Sequence, residues 1–307
     1  MRLKFAGYQS ENSVHTRAGR LFARRVSELC PEVEDVSVLA DVTKTGRGSW
    51  DLRDMVANGE IDFCYFSTGG FAANIPALGV IDLPFIVHDR ARAFAVLDGP
   101  TGQRIVKDIE TLSPFRFLGF WDNGIRHISN RSRPIRTPAD SRGLRMRTLN
   151  NKLYLEMMSA VGFETMTTDA AFLKKICASG EVDCQENPLT NILHFGLWEC
   201  HPHVTMTAHI FGAGLFIANR ATFATWPRPV QDAVMVAARE ATLANRRYAA
   251  DEDAICRVEL EKKGTQFVDL TPEERARFRD AVADVVRPYR EALDPAVVKA
   301  YLGAQAG

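Results

Sequence analysis

The longest stretch of the chain without glycine or proline is the feature that most constrains its fold. It covers residues 230–263, and its apolar side chains recur at helical spacing, at Val234, Val236, Leu243, Ile255, Val258 and Leu260. At 1.5 Å per residue such a helix is ~50 Å long, which exceeds the width of one lobe. The pattern predicts a helix that spans two lobes, although a break at residues 248–251 fits the sequence equally well.

The order of elements in the first third of the chain indicates an α/β fold. Strand-like runs over residues 3–7, 36–40 and 61–66 alternate with helical patterns, as in a mainly parallel sheet. Ser13 is a predicted N-cap for the first helix, and a second, short helix is predicted over 49–57.

A second α/β block follows. A strand over residues 115–121 is predicted to break at Asn123-Gly124 and to resume over 127–130. Further strands are predicted over 143–148, 182–185, 204–209, 215–218 and 266–268, and helices over 152–161 and 169–178. Since no Ser/Gly/Pro-rich stretch divides the blocks, strand-like segments rather than a flexible linker join them. The predicted fold class is therefore α/β with two lobes.

Charge and hydropathy exclude several classes of protein. The 307 residues include 38 Lys and Arg against 38 Asp and Glu, so there is no overall positive charge to bind nucleic acid. No apolar run approaches the ~20 residues needed to cross a bilayer, and no signal peptide precedes the first strand. A cytoplasmic protein and a secreted chain whose leader was removed both fit.

Motifs for catalysis, metals and cofactors are missing from the sequence. The chain has six cysteines but no C-x-x-C pair, no G-x-S-x-G elbow and no G-x-G-x-x-G fingerprint. Cys64 and Cys177 lie in apolar surroundings and are predicted to pack as small hydrophobic residues. Cys200-His201-Pro202-His203 is read as a polar loop, because no second ligand pair lies at finger spacing. No metal and no cofactor are expected.

Three segments offer polar groups to a ligand. Ser67, in a Ser-Thr-Gly-Gly run after the third strand, belongs either to a ligand-contacting loop or to a glycine turn. Arg145 and Arg147 share one face of a strand, so they are either two solvated arginines or an anion clamp that holds a carboxylate with two hydrogen bonds. Asn187, before Pro188, is either a helix N-cap or a side chain directed into a cleft.

These segments and several others resemble the periplasmic solute-binding proteins of tripartite ATP-independent periplasmic (TRAP) transporters, the DctP-type family, over nearly the whole chain. The matching motifs are, in chain order, Ser13-Val14-His15, Asp82-Leu83-Pro84-Phe85, Asn123-Gly124-Ile125-Arg126, Gly143-Leu144-Arg145-Met146-Arg147 and Asp183-Cys184-Gln185-Glu186-Asn187-Pro188-Leu189. Cys184 departs from the family, which commonly has glycine there. Residues 165–171 lack the usual proline and bulky aromatic side chain, which suggests a roomier pocket wall.

The resemblance implies a two-lobed receptor, and not an enzyme, with a ligand cleft between the lobes and a long helix spanning both. Lobe I is expected over residues 1–122 and 208–250, and lobe II over 123–207 and 251–307. The receptor is expected in the periplasm after removal of its leader, where it delivers its ligand to the membrane subunits of a TRAP transporter.

The resemblance also assigns roles to individual residues. Arg147 matches the arginine that binds the ligand carboxylate, Asn187 the asparagine that hydrogen-bonds it, and Arg126 a second cleft arginine. Arg145 is left as a brace for its strand.

The polar neighbours expected around the ligand indicate its class. Gln9, Ser67, Arg126 and Asn150, with Trp121 near the lobe junction, suit the hydroxyl groups of a sugar acid such as a uronate. A C4-dicarboxylate or keto acid is the alternative within the family, and an ABC-type receptor or a two-lobed α/β enzyme are the alternatives outside it.

Overall fold

The computed structural model describes residues 1–305, which form two compact α/β units. Unit 1 comprises Met1–Ser67, Gln103–Asn123 and Ala213–Asp251. Unit 2 comprises Thr68–Gly102, Gly124–Gly212 and the chain from Glu252 onward. Within the described part of the chain, no helix combines the length and apolar character that crossing a bilayer requires.

The strands are β1 (Arg2–Ala6), β2 (Asp35–Leu39), β3 (Phe63–Ser67), β4 (Phe115–Asn130), β5 (Arg145–Thr148), β6 (Glu164–Thr167), β7 (Cys184–Pro188), β8 (His203–Asn219) and β9 (Gln266–Val268). The helices are α1 (Val14–Leu29), α2 (Asp51–Ala57), α3 (Arg90–Asp98), α4 (Pro100–Leu112), α5 (Lys152–Val161), α6 (Ala170–Ser179), α7 (Leu189–His194), α8 (Arg220–Thr225), α9 (Arg228–Lys262), α10 (Pro272–Glu291) and α11 (Pro295–Gly303). Short 3-10 turns include Thr68–Gly70, Pro76–Val80 and Leu197–Glu199.

Unit 1 is a sheet around an aromatic core. Strand β1 pairs in parallel with β2 and β3, and β3 pairs antiparallel with the second half of β8. Ser13 caps α1 as predicted, because its side chain accepts a hydrogen bond from the Thr16 backbone N–H at 3.1 Å. The largest buried side chains of this core include Phe5, Phe22, Phe63, Trp121 and Phe216. Burial of each of these side chains contributes roughly 2–3 kcal/mol to the free energy of folding.

Unit 2 places β5 between two parallel neighbours, β6 and β7, and β7 pairs antiparallel with the second half of β4. The first residues of β8 pair in parallel with β9. Helix α5 packs against α10 over a core that includes Tyr154, Met157 and Phe278. The carboxyl end of β5 and the whole of β7 therefore lie in a well-packed framework.

Two predicted strand breaks are wrong. Strand β4 continues through Asn123-Gly124, and β8 continues from His203 to Asn219, where the sequence indicates two separate strands. Gly124 has a φ of +89°, and a Cβ there would come within 2.6 Å of the Pro188 side chain. Glycine commonly interrupts a strand, but Gly124 instead lets β4 pass close to β7.

The predicted long helix is present and unbroken. Helix α9 has 35 residues, of which those up to Asp251 belong to unit 1 and the rest to unit 2. The alternative break at residues 248–251 does not occur, since that segment has no glycine or proline to interrupt the backbone hydrogen bonds.

Residues 68–102 cluster with unit 2, whereas the predicted lobe I contains them. Two hydrogen bonds hold this segment to α5: Tyr154 donates to Asp82 at 3.2 Å, and the Asn151 amide donates to the Gly69 carbonyl at 2.9 Å. The predicted lobe boundaries stay a prediction, because compact packing and movement as one body are different properties.

Candidate ligand-binding site

Arg147 is a buried cation with no acidic partner. It lies on β5 and is 2 % exposed. Its Nε and one Nη donate to the backbone carbonyl of Thr168, at 3.1 and 2.6 Å. Within residues 1–305, no carboxylate lies within ion-pair distance of this guanidinium, in contrast to Arg145 two positions earlier, which pairs with Asp183 at 3.0 Å and is half-exposed. Arg145 therefore braces its strand, and Arg147 keeps hydrogen-bonding capacity for another anion.

Burial destabilises the charged form of Arg147. Its pKa is lowered to about 10: burial is the main cause, the charge of Glu186 partly opposes it, and the charge of Arg126 adds to it. The guanidinium is still protonated at neutral pH. Since an isolated charge in the protein interior is strongly destabilising, an anion at Arg147 would relieve that penalty.

Arg126 is equally buried but fully compensated. Its Nε donates a hydrogen bond to the Glu186 carboxylate, and one Nη donates to the Glu186 backbone carbonyl at 2.7 Å. Strand β4 pairs with β7 so that Arg126 lies opposite Pro188 and Ile128 opposite Glu186. This register brings the side chains of Arg126 and Glu186 together. Burial alone would raise the pKa of Glu186, but Arg126 and His209 outweigh it and hold that pKa at about 2.

Asn187 belongs to a buried network of amides. Its Nδ2 donates to Gln185 at 2.5 Å, and its Oδ1 accepts from Asn191 at 3.0 Å and from Arg126 at 3.5 Å. It is the fourth residue of β7, and the N-cap of α7 is Pro188, so of the two alternatives for Asn187 the helix cap is wrong. One of its two Nδ2 hydrogens has no acceptor among the described residues.

The remaining candidates are divided between the units. In unit 1, Gln9 is buried with its carbonyl oxygen 2.9 Å from His15 Nδ1, and Ser67 is the buried last residue of β3. Trp121 is buried in the core of unit 1, where its indole N–H donates to Thr242 at 3.1 Å. In unit 2, Asn150 lies exposed at a bend, and its neighbour Asn151 caps α5. Unit 2 thus holds four of the predicted residues, and three of them, Arg126, Arg147 and Asn187, are buried on its adjacent strands β4, β5 and β7.

The chain matches a known family of receptors. A family model described as bacterial extracellular solute-binding protein, family 7 (DctP), matches residues 5–292. The chain belongs to this family. It is 33 % identical over 254 residues to a solute-binding protein of Verminephrobacter eiseniae strain EF01-2, an alignment that covers 82 % of this chain and 74 % of the relative. It is 27 % identical to the 2,3-diketo-L-gulonate-binding periplasmic protein of Escherichia coli strain K12, over 76 % of this chain and 70 % of the relative.

Solved structures of the family share the fold. The sugar acid binding protein of Advenella mimigardefordensis strain DPN7T in complex with galactonate superposes with a TM-score of 0.94 at 24 % identity, over 99 % of this chain and 97 % of that one. A TRAP periplasmic solute-binding protein of Sulfurospirillum deleyianum with bound succinate gives a TM-score of 0.91 at 25 % identity, over 99 % and 98 %. The predicted fold class and family are confirmed.

Membership in the DctP family decides between the alternatives left by the sequence. The family consists of solute-binding proteins of transporters, so the enzyme and the ABC-type receptor are excluded as interpretations. The cited relatives and solved structures that are named with a ligand bind small carboxylates, and those named by location are periplasmic.

Two acidic residues of the site in this DctP-family receptor were missed from the sequence. Glu186 also accepts a hydrogen bond from Thr148 at 2.8 Å and lies 3.4 Å from His209. Asp82 is buried beside Tyr154, and burial raises the pKa of its carboxyl to about 7. Both acids stand within motifs that carry the family resemblance, and for Asp82 its position between Ile81 and Leu83, two apolar residues, was a further available signal.

Possible metal ligands form one small cluster in the described part of the chain. The ligand atoms of His194, Glu252 and Cys256 lie within 4.8 Å of one another. His194 is 3.6 Å from Glu252, as in an ordinary ion pair. His201, in the Cys-His-Pro-His segment predicted as an exposed polar loop, is instead fully buried, and its Nδ1 lies 3.1 Å from the Ser129 hydroxyl.

Proposed function

We propose that this DctP-family receptor binds a sugar acid, such as a uronate, and that Arg147 holds the carboxylate of that ligand. The observation that carries the proposal is the burial of Arg147 without an acidic partner in residues 1–305. A guanidinium offers two parallel N–H donors to a carboxylate, which makes it the side chain suited to this task.

The groups around Arg147 support a role in orienting the ligand. Asn187 has one amide hydrogen to offer, and Arg126 is fixed by Glu186, so its position is set before a ligand binds. Gln9, Ser67 and Asn150 are proposed as further contacts, which would hydrogen-bond to the hydroxyl groups of the ligand.

The names of relatives favour a sugar acid over the alternative ligands. Galactonate and 2,3-diketo-L-gulonate are both polyhydroxylated acids. The neighbour with bound succinate keeps a C4-dicarboxylate as the alternative, together with a keto acid. Delivery to TRAP membrane subunits, and location in the periplasm after removal of a leader, are part of the same proposal.

Isothermal titration calorimetry with a matched set of ligands tests the proposal. Galactonate, galacturonate and glucuronate should bind at least tenfold more tightly than succinate or a branched keto acid. Galactitol carries hydroxyl groups like those of galactonate but no carboxylate, and it should not bind measurably. Tighter binding of succinate or the keto acid would overturn the sugar-acid assignment, and equal binding of galactitol would overturn the carboxylate clamp.

A further inference from the structure

Three side chains of the kinds that bind metal ions meet where α7 packs near α9 in unit 2. His194 is the last residue of α7, and Glu252 and Cys256 lie four residues apart on α9, hence on one face of that helix. A ring nitrogen of His194, a carboxylate oxygen of Glu252 and the sulfur of Cys256 all lie within 4.8 Å of one another. The two helices thus bring an imidazole, a carboxylate and a thiol to one point.

The three side chains lie at the edge of an apolar core. Cys256 is 1 % exposed and belongs to the same apolar cluster as Leu189 and Ile192 of α7. The side chains of His194 and Glu252 are partly exposed. Packing therefore fixes the thiol, and an ion can enter from the solvent side without opening the core.

The spacing of the ligand atoms suits one small cation. The Nε2 of His194 is shielded from solvent, makes no hydrogen bond within residues 1–305 and lies 3.6 Å from a carboxylate oxygen of Glu252. Two such ligand atoms around one tetrahedral Zn²⁺ are ~3.4 Å apart, given bonds of about 2.1 Å. The imidazole and the carboxylate are thus already near the separation that zinc requires, and a shift of about 1 Å brings the sulfur of Cys256 within bonding distance.

The three donor atoms select the class of metal ion. Zn²⁺ accepts thiolate, imidazole and carboxylate ligands together, whereas Mg²⁺ and Ca²⁺ prefer oxygen ligands alone. The surroundings are acidic, because Glu252, Asp253 and Glu259 all act on Cys256 with negative charge. Such a field raises the local concentration of cations.

We propose that His194, Glu252 and Cys256 bind one Zn²⁺ ion, with water as the fourth ligand. The Cys256 thiol loses its proton to solvent as its sulfur binds the metal. Sequence motifs missed the cluster because His194 is distant along the chain from the other two ligands. The site is separate from the carboxylate clamp, so the proposal does not depend on the identity of the organic acid.

The ion would fasten α7 to α9. A metal that binds only the folded state stabilises that state, because unfolding separates the ligands. Helix α7 also carries Asn191, whose amide donates to Asn187 of the candidate site at 3.0 Å. Zinc would therefore stabilise the helix that helps to hold Asn187.

Equilibrium dialysis measures the site directly. The chain, without an affinity tag, is stripped with EDTA and dialysed against ZnCl₂ or MgCl₂, and its metal content is measured. We expect one Zn²⁺ per chain and no retained Mg²⁺. Glu252→Gln and Cys256→Ala should each weaken zinc binding about tenfold or more. Glu261→Gln, an exposed acid of the same helix, and Cys30→Ala, a buried cysteine of unit 1, are the controls and should bind like the wild type.

Two results would overturn the proposal. One is a wild-type chain that retains no zinc, and the other is equal zinc binding by Cys256→Ala and the wild type. Because Glu252→Gln leaves the apolar core untouched, it provides the same test if Cys256→Ala does not fold.

Cobalt spectroscopy and thermal unfolding give independent readouts. With Co²⁺ in place of Zn²⁺, a thiolate-to-cobalt charge-transfer band should appear in the wild type and in Cys30→Ala but not in Cys256→Ala. Zn²⁺ at roughly 100 times its Kd should raise the Tm of the wild type by about 5 °C and leave that of Cys256→Ala unchanged. A charge-transfer band that persists in Cys256→Ala would contradict the assignment.

Discussion

Arg126 and Arg147 are two equally buried arginines, each 2 % exposed, but only Arg126 has an acidic partner in the described part of the chain. Arg126 meets the Glu186 carboxylate and carbonyl, whereas Arg147 meets a single backbone carbonyl, that of Thr168. The two guanidinium groups need similar compensation for their loss of water. Compensation from within the chain makes Arg126 part of the framework, and its absence at Arg147 is the reason we propose Arg147 for the ligand carboxylate.

Glu186→Gln should remove the carboxylate that pairs with Arg126 and cause the largest loss of stability. Removing one partner of a buried ion pair leaves the other charge uncompensated, so the free energy of unfolding should fall by about 3–5 kcal/mol. Chemical denaturation at pH 7 measures it. Glu181→Gln, an exposed acid of the same region, is the control and should stay within about 0.5 kcal/mol of the wild type.

The pH dependence of the same variant sharpens the comparison. Because the folded state holds the pKa of Glu186 at about 2, below its ordinary value of 4.5, the stabilisation is complete above pH 4.5 and is lost as the pH falls toward 2. The difference between wild type and Glu186→Gln should therefore shrink over this range. A difference that stays constant with pH would show that the ionised carboxylate is not what stabilises Arg126.

The contribution of Asp82 to stability should change with pH in the opposite direction to that of Glu186. Burial raises the pKa of its carboxyl from 3.8 to about 7, so the folded state binds the proton more tightly and stability falls as the pH rises from about 4 to 7. Asp82→Asn should thus be more stable than the wild type by about 4 kcal/mol at pH 8 and close to it near pH 4. Denaturation curves at both pH values test this, and a variant less stable at pH 8 would refute it.

Arg147→Gln should change the stability of the ligand-free protein by less than about 1 kcal/mol. The variant loses hydrogen bonds to Thr168 but also removes a buried, uncompensated charge, and the two effects oppose each other. The measurement is chemical denaturation without ligand. A loss as large as that of Glu186→Gln would mean that Arg147 is structural.

Arg145→Gln should have the smallest effect. The ion pair of Arg145 with Asp183 is half-exposed on the arginine side, and such pairs contribute about 0.5 kcal/mol. Denaturation in 0.1 M and 1 M salt checks this, since screening should remove most of the difference. A larger loss that persists at high salt would contradict the assignment of Arg145 as a surface brace.

Local patterns predicted much of this fold. The alternation in β5 separated Met146 from its two arginines, the absence of glycine and proline fixed the long helix α9, and Ser13 marked the start of α1. Each of these features depends on residues close together in the sequence.

Features that depend on distant residues were not predicted. The pairing of Arg126 with Glu186 needs the register of β4 against β7, which lie 60 residues apart. The same register explains why Gly124 continues a strand and why Asn187 belongs to β7 rather than to a helix cap. The unequal compensation of the two arginines could be seen only after the strands were paired.

The affinity of Arg147→Gln for the tightest-binding acid of the calorimetric panel tests the central claim most directly. The variant should bind at least about 100-fold more weakly than the wild type, because a desolvated charge pair with the carboxylate is lost. Arg145→Gln, two residues away on the same strand, should bind within threefold of the wild type. Unchanged affinity in Arg147→Gln would contradict the assignment of this buried cation as the carboxylate clamp.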